Sequence, residues 1–149
     1  MRAVIQRVRT AKVQVEDLIA GQIDGGLLVL LGVAKTDTRR DADYLAGKIA
    51  GLRIFPDEAG RMNKSVVEVG GSLLVVSQFT LYGDVSRGRR PGFERAADAH
   101  LAQGLYQYFI EAVRAQGIRV ETGVFQTDMS VHLVNDGPVT IIIDSDKLT

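Results

Sequence analysis

"GGLLVLLGVAK", residues 25–35, decides how this chain folds. Five consecutive apolar side chains, Leu27 to Leu31, stand between a glycine pair and Gly32. The run is far too short to span a bilayer, which takes about twenty apolar residues. It also lacks the polar alternation of a strand with one wet face. The segment is therefore predicted as a strand covered on both faces. "GGSLLVVSQFTLYGD", residues 70–84, repeats the pattern, with a second buried strand ending near Ser77.

The rest of the chain must supply the covering layers. "MRAVIQRVRTAKVQVED" (1–17) opens as a strand, with Val4, Gln6 and Val8 alternating against Ile5, Arg7 and Arg9. Thr36 to Thr38 offers N-caps for a helix running to about Leu52, whose Leu45, Ile49 and Leu52 share a stripe. Asp98 caps a second helix with Leu101, Leu105, Tyr108, Phe109, Ala112 and Val113 on one face, and Gly117 ends it as the C′ residue. Ile118–Thr122, Met129–Val134 and Val139–Asp144 are predicted strands, the last two joined as a hairpin through Asn135-Asp136-Gly137. Pro138 fits such a return strand badly, because proline donates no hydrogen bond and is tolerated only at edges, starts and bulges. Residues 53–66 read as a turn-rich connection bending at Asp57 to Gly60.

Strands and helices do not alternate strictly, which argues against a doubly wound parallel sheet. The expected fold is α+β, a mixed, mostly antiparallel sheet curled toward a barrel with two helices packed outside. At 149 residues, with no linker or repeat, 1–149 is expected to be a single domain. Arg2, Gln6, Arg7 and Arg9 leave no signal-peptide core at the start, so a cytoplasmic location and no membrane contact are expected. Absence of cysteine removes disulfides and thiolate chemistry. Lys plus Arg equals Asp plus Glu, 18 against 18, so any nucleic-acid contact should be local, gripping a strand end rather than coating a duplex.

Little in the sequence resembles familiar catalytic machinery. His100 and His132 have no partner at i+2 or i+4, so no metal and no cofactor is expected, and both read as structural or surface groups. The glycine pairs precede strands rather than helices and lack phosphate-loop spacing, so they read as turns. "SQFTL" (77–81) is more telling, since Ser77, Gln78 and Thr80 put polar groups at the end of an apolar strand. They either line a pocket or bond nearby backbone where the strand stops. "RGRRPGF" (87–93) gathers Arg87, Arg89 and Arg90 in a flexible loop that is either a phosphate clamp or a solvated charged turn.

Taken together, "SQFTL" at 77–81 and "NDGPVT" at 135–140 resemble the two signature motifs of the D-aminoacyl-tRNA deacylase family. "QRV" (6–8), "LRIF" (52–55), "MNKSV" (62–66), "RGRRPGF" (87–93) and "TGVF" (122–125) agree with it, so the resemblance runs nearly end to end. The chain departs from the family pattern at Gln126 and Thr127, where small residues precede the methionine. It departs again at "ERAADAH", which lacks a proline before the second helix. The first departure bears on pocket width, the second on local geometry.

The resemblance implies a homodimeric hydrolase acting on the ester of D-aminoacyl-tRNA, and on glycine wrongly attached to alanine tRNA. Ser77, Gln78, Phe79 and Thr80 would form the catalytic pocket. Gly137 and Pro138, joined by a cis bond, would reach from one subunit into its partner's site as a chiral gate. There the backbone carbonyls would meet the substrate's α-amino group and leave no room for an L side chain, a specificity by exclusion. Arg7 would sit near the pocket mouth, and Arg87, Arg89 and Arg90 would touch acceptor-stem phosphates. Catalysis is expected to use the RNA 2′-hydroxyl, with Thr80 as nucleophile the rival route. Two rival functions are a non-catalytic module that binds the aminoacyl-tRNA 3′ end, and a structural dimer whose Gly-Pro turn is only an interface.

Overall fold

A computed structural model describes residues 1–147. In chain order the strands are β1 (Arg2–Val15), β2 (Leu18–Ile23) and β3 (Gly26–Gly32), followed by helix α1 (Arg39–Gly51). A small hairpin, β4 (Phe55–Pro56) and β5 (Met62–Lys64), precedes β6 (Ser72–Ser77) and a 3-10 turn (Phe79–Tyr82). Helix α2 (Ala99–Arg114) and strands β7 (Val120–Thr122) and β8 (Ser130–Asp144) complete it.

The sheet order is β2-β1-β3-β6-β7, with β8 on the other side of β1. β1 runs antiparallel to β2, β3 and β8, while β3–β6 and β6–β7 are parallel, so the sheet is mixed. It nearly closes on itself where β2 meets β7. A Cβ on Gly21 would lie 2.3 Å from the Thr122 carbonyl oxygen, so only glycine allows that approach. The expected α+β fold, a sheet curled toward a barrel with two helices outside, is what forms.

The apolar run at 27–31 is covered on both faces as its composition predicts. Leu27, Val29 and Leu31, with Leu73 and Val75 of β6, pack against Leu45 and Ile49 of α1 and Phe109 and Val113 of α2. Leu28, Leu74 and Val76 face the other way, into the barrel with Val8, Val13 and Ile23. Each such fully buried side chain contributes about 1.5–3 kcal/mol of hydrophobic stabilisation. α1 starts at Thr38, whose hydroxyl accepts from Arg40 N–H while Asp41 accepts from the Thr38 N–H at 2.8 Å. α2 starts at Asp98, which accepts from Leu101 N–H at 2.9 Å. Gly117, at φ +84, is one step past C′ rather than at it, because the helix already stops at the Ala115 cap and Gln116 takes the C′ position. Asp57 to Gly60 forms the bend between β4 and β5, as expected.

The C-terminal hairpin does not form. Ser130–Asp144 is one strand whose two halves both pair with β1. Gln6 pairs with Thr140 and Val8 with Asn135, so the four residues Asp136 to Val139 stand opposite Arg7 alone. Asn-Asp-Gly-Pro therefore makes a wide bulge that leaves the strand and returns to it. The Asn135 side-chain amide clasps its base, donating to Arg7 O at 2.9 Å and Val139 O at 3.0 Å. Among the described residues β8 pairs with β1, and the proline occupies a bulge in it, one of the places where its missing N–H costs nothing. No helix among the described residues is long and apolar enough to cross a membrane.

Candidate active site

β6 delivers the first motif. Ser77 is the last residue of the strand, paired with Leu31, and Gln78 N–H donates to Leu31 O at 2.8 Å. The chain then tightens into the 3-10 turn, with Leu81 N–H on Gln78 O at 3.2 Å and Gly83 N–H on Thr80 O at 2.9 Å. Phe79 is 57% exposed and meets Phe93 edge-on, ring centroids 5.1 Å apart.

Ser77, Gln78 and Phe79 form one wall of a cavity of about 610 Å³, within the range typical of small-ligand sites. Ala97, Ala99 and Ala102, at the start of α2, form a second wall, where small side chains leave the space open. The third is the segment Phe125 to Met129, continued by Val131 of β8. The lining is mostly apolar, with Ser77, Gln78, Gln126, Thr127 and Asp128 as its polar groups.

Sequence reasoning did not find the alanine wall, whereas Gln126 and Thr127, expected to bear on pocket width, do lie in the Phe125–Met129 wall. Contacts from behind hold that wall. Phe125 stacks on Tyr106 at 6.0 Å, and the Tyr106 hydroxyl donates to Val75 O at 2.9 Å. Burial pushes that phenol up to about 12, so it remains a donor. Val124 N–H donates to Met129 Sδ at 3.4 Å, and Gln126 sits in the left-handed region at φ +56. A non-glycine residue there marks a tightly specified loop.

Thr80 does not border the cavity. It is exposed one residue beyond the wall, and its hydroxyl accepts a hydrogen bond from the Gln78 side-chain amide. His100 and His132 are exposed and line no part of the cavity. Among the described residues, no group of three His, Asp or Glu side chains could hold a metal ion.

Gly137 and Pro138 are exposed, joined by a cis bond, and absent from the cavity lining of their own chain. Gly137 has φ +120, a conformation L side chains rarely adopt. Arg7 braces the bulge from below. It is buried, donating to Ile54 O at 2.6 Å and Asp136 O at 3.3 Å, with the Asp136 carboxylate 3.4 Å from Nε. Arg9 reaches the other oxygen of that carboxylate at 3.4 Å. The Arg7 guanidinium is thus engaged with the Gly-Pro bulge rather than with the cavity.

Arg87, Arg89 and Arg90 lie exposed in a loop closed by paired Asp84 and Gly92 backbones, at 2.8 and 2.9 Å. Ser86, bonded to the Asp84 carboxylate, holds that group below the ordinary carboxylate value. None of the three arginines has an ion-pair partner among the described residues. The loop abuts the cavity through Phe93 and Phe79.

The sequence profile of the D-Tyr-tRNA(Tyr) deacylase family matches residues 4–144, nearly the whole of this architecture. This chain belongs to that family. Similar proteins include the D-aminoacyl-tRNA deacylase of Symbiobacterium thermophilum, 61% identical over 99% of this chain and 97% of the relative. That of Koribacter versatilis is 61% identical over 99% of both chains. Among solved structures, the c-Myc DNA unwinding element binding protein superposes with a TM-score of 0.91 at 40% identity, covering 97% of this chain and 98% of that one. A probable eukaryotic D-amino acid tRNA deacylase shares the fold, with a TM-score of 0.83 at 20% identity over 96% and 98%. The family's enzymes are hydrolases of aminoacyl-tRNA ester bonds.

Proposed function

We propose that this protein hydrolyses the ester of D-aminoacyl-tRNA, and of glycine misattached to alanine tRNA, as a homodimer in the cytoplasm. One observation carries the reading. In a chain of the deacylase family, Ser77, Gln78 and Phe79 end a buried strand at a cavity large enough for an aminoacylated terminal nucleoside. The arginine loop beside that cavity suits the phosphates of the acceptor stem. Three cations there supply local attraction that a chain of zero net charge otherwise lacks.

Gly137 and Pro138 belong to the reading as a gate lent by the partner subunit. The bulge is exposed and is no part of its own cavity's lining, so its backbone is available to another chain. β8 also lies at the end of the described sheet with Val134 about half exposed, the kind of surface that a second copy covers. At the partner's pocket, the main-chain carbonyls of Gly137 and Pro138, on a bulge braced at its ends by Arg7 and Asn135, meet the α-amino group and occupy the space of an L side chain. A D side chain points outward, and glycine has nothing to exclude.

The reacting bond joins the amino-acid carbonyl to the terminal ribose. Hydrolysis needs an activated water and stabilisation of the oxyanion formed on that carbonyl. The Gln78 N–H is committed to Leu31 O, which leaves the neighbouring Phe79 N–H as the backbone donor for that oxyanion. Among the described residues no histidine or carboxylate hydrogen-bonds to Thr80, and an amide that donates to its hydroxyl does not take its proton. Activation by the neighbouring 2′-hydroxyl of the RNA is the route consistent with those residues.

The test compares purified protein on D-tyrosyl-, L-tyrosyl- and glycyl-tRNA. The expected result is rapid cleavage of the D and glycyl esters and slow cleavage of the L ester. Equal rates for D and L would refute the exclusion gate, and saturable binding without turnover would replace the enzyme by a binding module.

A further inference from the structure

The 3-10 turn that follows Ser77 has only four residues, and so short a turn takes its position from its attachments. Its entry is tied to β3 by the Gln78 N–H. Its floor is Gly32, where an added Cβ would come within 3.1 Å of Gln78 O and 3.3 Å of Tyr82 Cδ2. Its exit is Tyr82, 3% exposed, with a hydroxyl that has no hydrogen-bond partner among the described residues. Burial holds that phenol far above its ordinary pKa, with Asp37 and Asp144 adding to the effect, so it stays neutral. The contacts that the described residues make with Tyr82 are therefore made through its ring.

Two cations grip that ring. The Arg2 guanidinium lies 4.9 Å and the Arg95 guanidinium 5.3 Å from the ring centroid. Arg2 is itself fixed, donating to the buried Asp144 carboxylate at 2.9 Å and to Leu81 O, inside the turn, at 3.0 Å. Arg95 has Asp146 at 3.9 Å and is half exposed.

We propose that Tyr82, gripped by Arg2 and Arg95, is a positioning residue that sets the 79–82 turn and thereby places Gln78 and Phe79 at the cavity. The link to catalysis rests on the deacylase reading of that cavity, whereas the grip itself does not. The aromatic face carries the effect and the hydroxyl carries none.

Three variants test it, Tyr82→Phe, Tyr82→Leu and Arg95→Gln, with Arg95→Lys as the conservative control. On D-tyrosyl-tRNA, Tyr82→Phe should keep kcat and KM within about twofold and show no loss of Tm, because the ring remains and an idle buried hydroxyl is gone. Tyr82→Leu should lower kcat about tenfold or more with KM nearly unchanged. Arg95→Gln alters a half-exposed side chain and spares the core. It should lower kcat by about threefold or more, with Arg95→Lys recovering most of the loss.

Hydrogen exchange of the Leu81 and Gly83 amides, whose acceptors are the carbonyls of Gln78 at the turn's N-cap and Thr80 within it, gives a readout independent of activity. Exchange should accelerate in Tyr82→Leu and Arg95→Gln and stay unchanged in Tyr82→Phe. A Phe variant as slow as the Leu variant would overturn the proposal. So would an Arg95→Gln protein with unaltered kcat and exchange, which also decides the matter if the Leu variant does not fold. If the unmodified protein cleaves no aminoacyl-tRNA, the deacylase reading fails, and exchange alone still judges the grip.

Discussion

Replacing Gly137 by alanine puts a methyl group where the bulge has no space for one. The new Cβ would lie 2.9 Å from Val139 Cγ2 and 3.0 Å from Arg7 Nη2. Neither neighbour yields easily, since Val139 is buried and Arg7 is bonded to Ile54 O at 2.6 Å. The backbone adds its own resistance, because φ is +120 and an L residue in such a conformation costs about 1–3 kcal/mol. That free energy has two outlets. If the bulge keeps its shape, the variant loses about 1–3 kcal/mol of unfolding free energy in urea titration. If the bulge shifts instead, stability is retained and the gate is displaced. The ratio of D- to L-tyrosyl-tRNA cleavage should then fall by about 5- to 150-fold, the same energy expressed as rate. Single-turnover deacylation alongside denaturation separates the outlets. A Gly137→Ala protein with unchanged stability and unchanged D/L ratio would refute the reasoning.

Three further outcomes are expected. Tyr106→Phe removes a buried hydrogen bond to Val75 O, but that oxygen keeps the Gly123 N–H at 3.3 Å. The loss should therefore be small, about 0.5–1.5 kcal/mol by denaturant unfolding. Thr80→Ala should keep deacylation within about threefold of the parent, and total loss together with a trapped acyl adduct would reinstate the nucleophile route. Replacing Arg87, Arg89 and Arg90 together by alanine should raise KM for aminoacyl-tRNA, leave kcat alone and flatten the salt dependence of binding by about 2–3 in log–log slope.

Much of the fold could be read along the chain because its signals are local. The buried strand at 26–32 announces itself by an unbroken apolar run between glycines. Both helices announce themselves by a cap, Thr38 and Asp98, ahead of a 3.6-residue stripe. The hairpin at 134–140 was misleading because Asn-Asp-Gly is turn chemistry wherever it occurs. Only pairing with β1, far away in sequence, reveals that both flanks continue one strand and that Asn135 ejects the residues between. The site divides the same way. "SQFTL" stood out because Ser77, Gln78 and Thr80 end an apolar strand, and of these Ser77 and Gln78 line the cavity while Thr80 does not. The Phe125–Met129 wall depends on Tyr106 behind Phe125 and on Met129 sulfur accepting from Val124, contacts with no sequence period. Arg7 reads as a surface cation by type, yet a carbonyl and a carboxylate contributed by distant segments draw it inward.

The account's central claim is that each pocket borrows its chiral gate from the other subunit, and subunit mixing tests it most directly. One protein carries Gln78→Ala in the pocket and a second carries Gly137→Val in the gate, each impaired alone. After unfolding and refolding together in equal amounts, a shared site predicts that mixed dimers regain one intact pocket–gate pair. D-tyrosyl-tRNA cleavage should then return to about a quarter of the unmodified level. Recovery of nothing beyond the sum of the two impaired proteins would contradict a gate that crosses between chains.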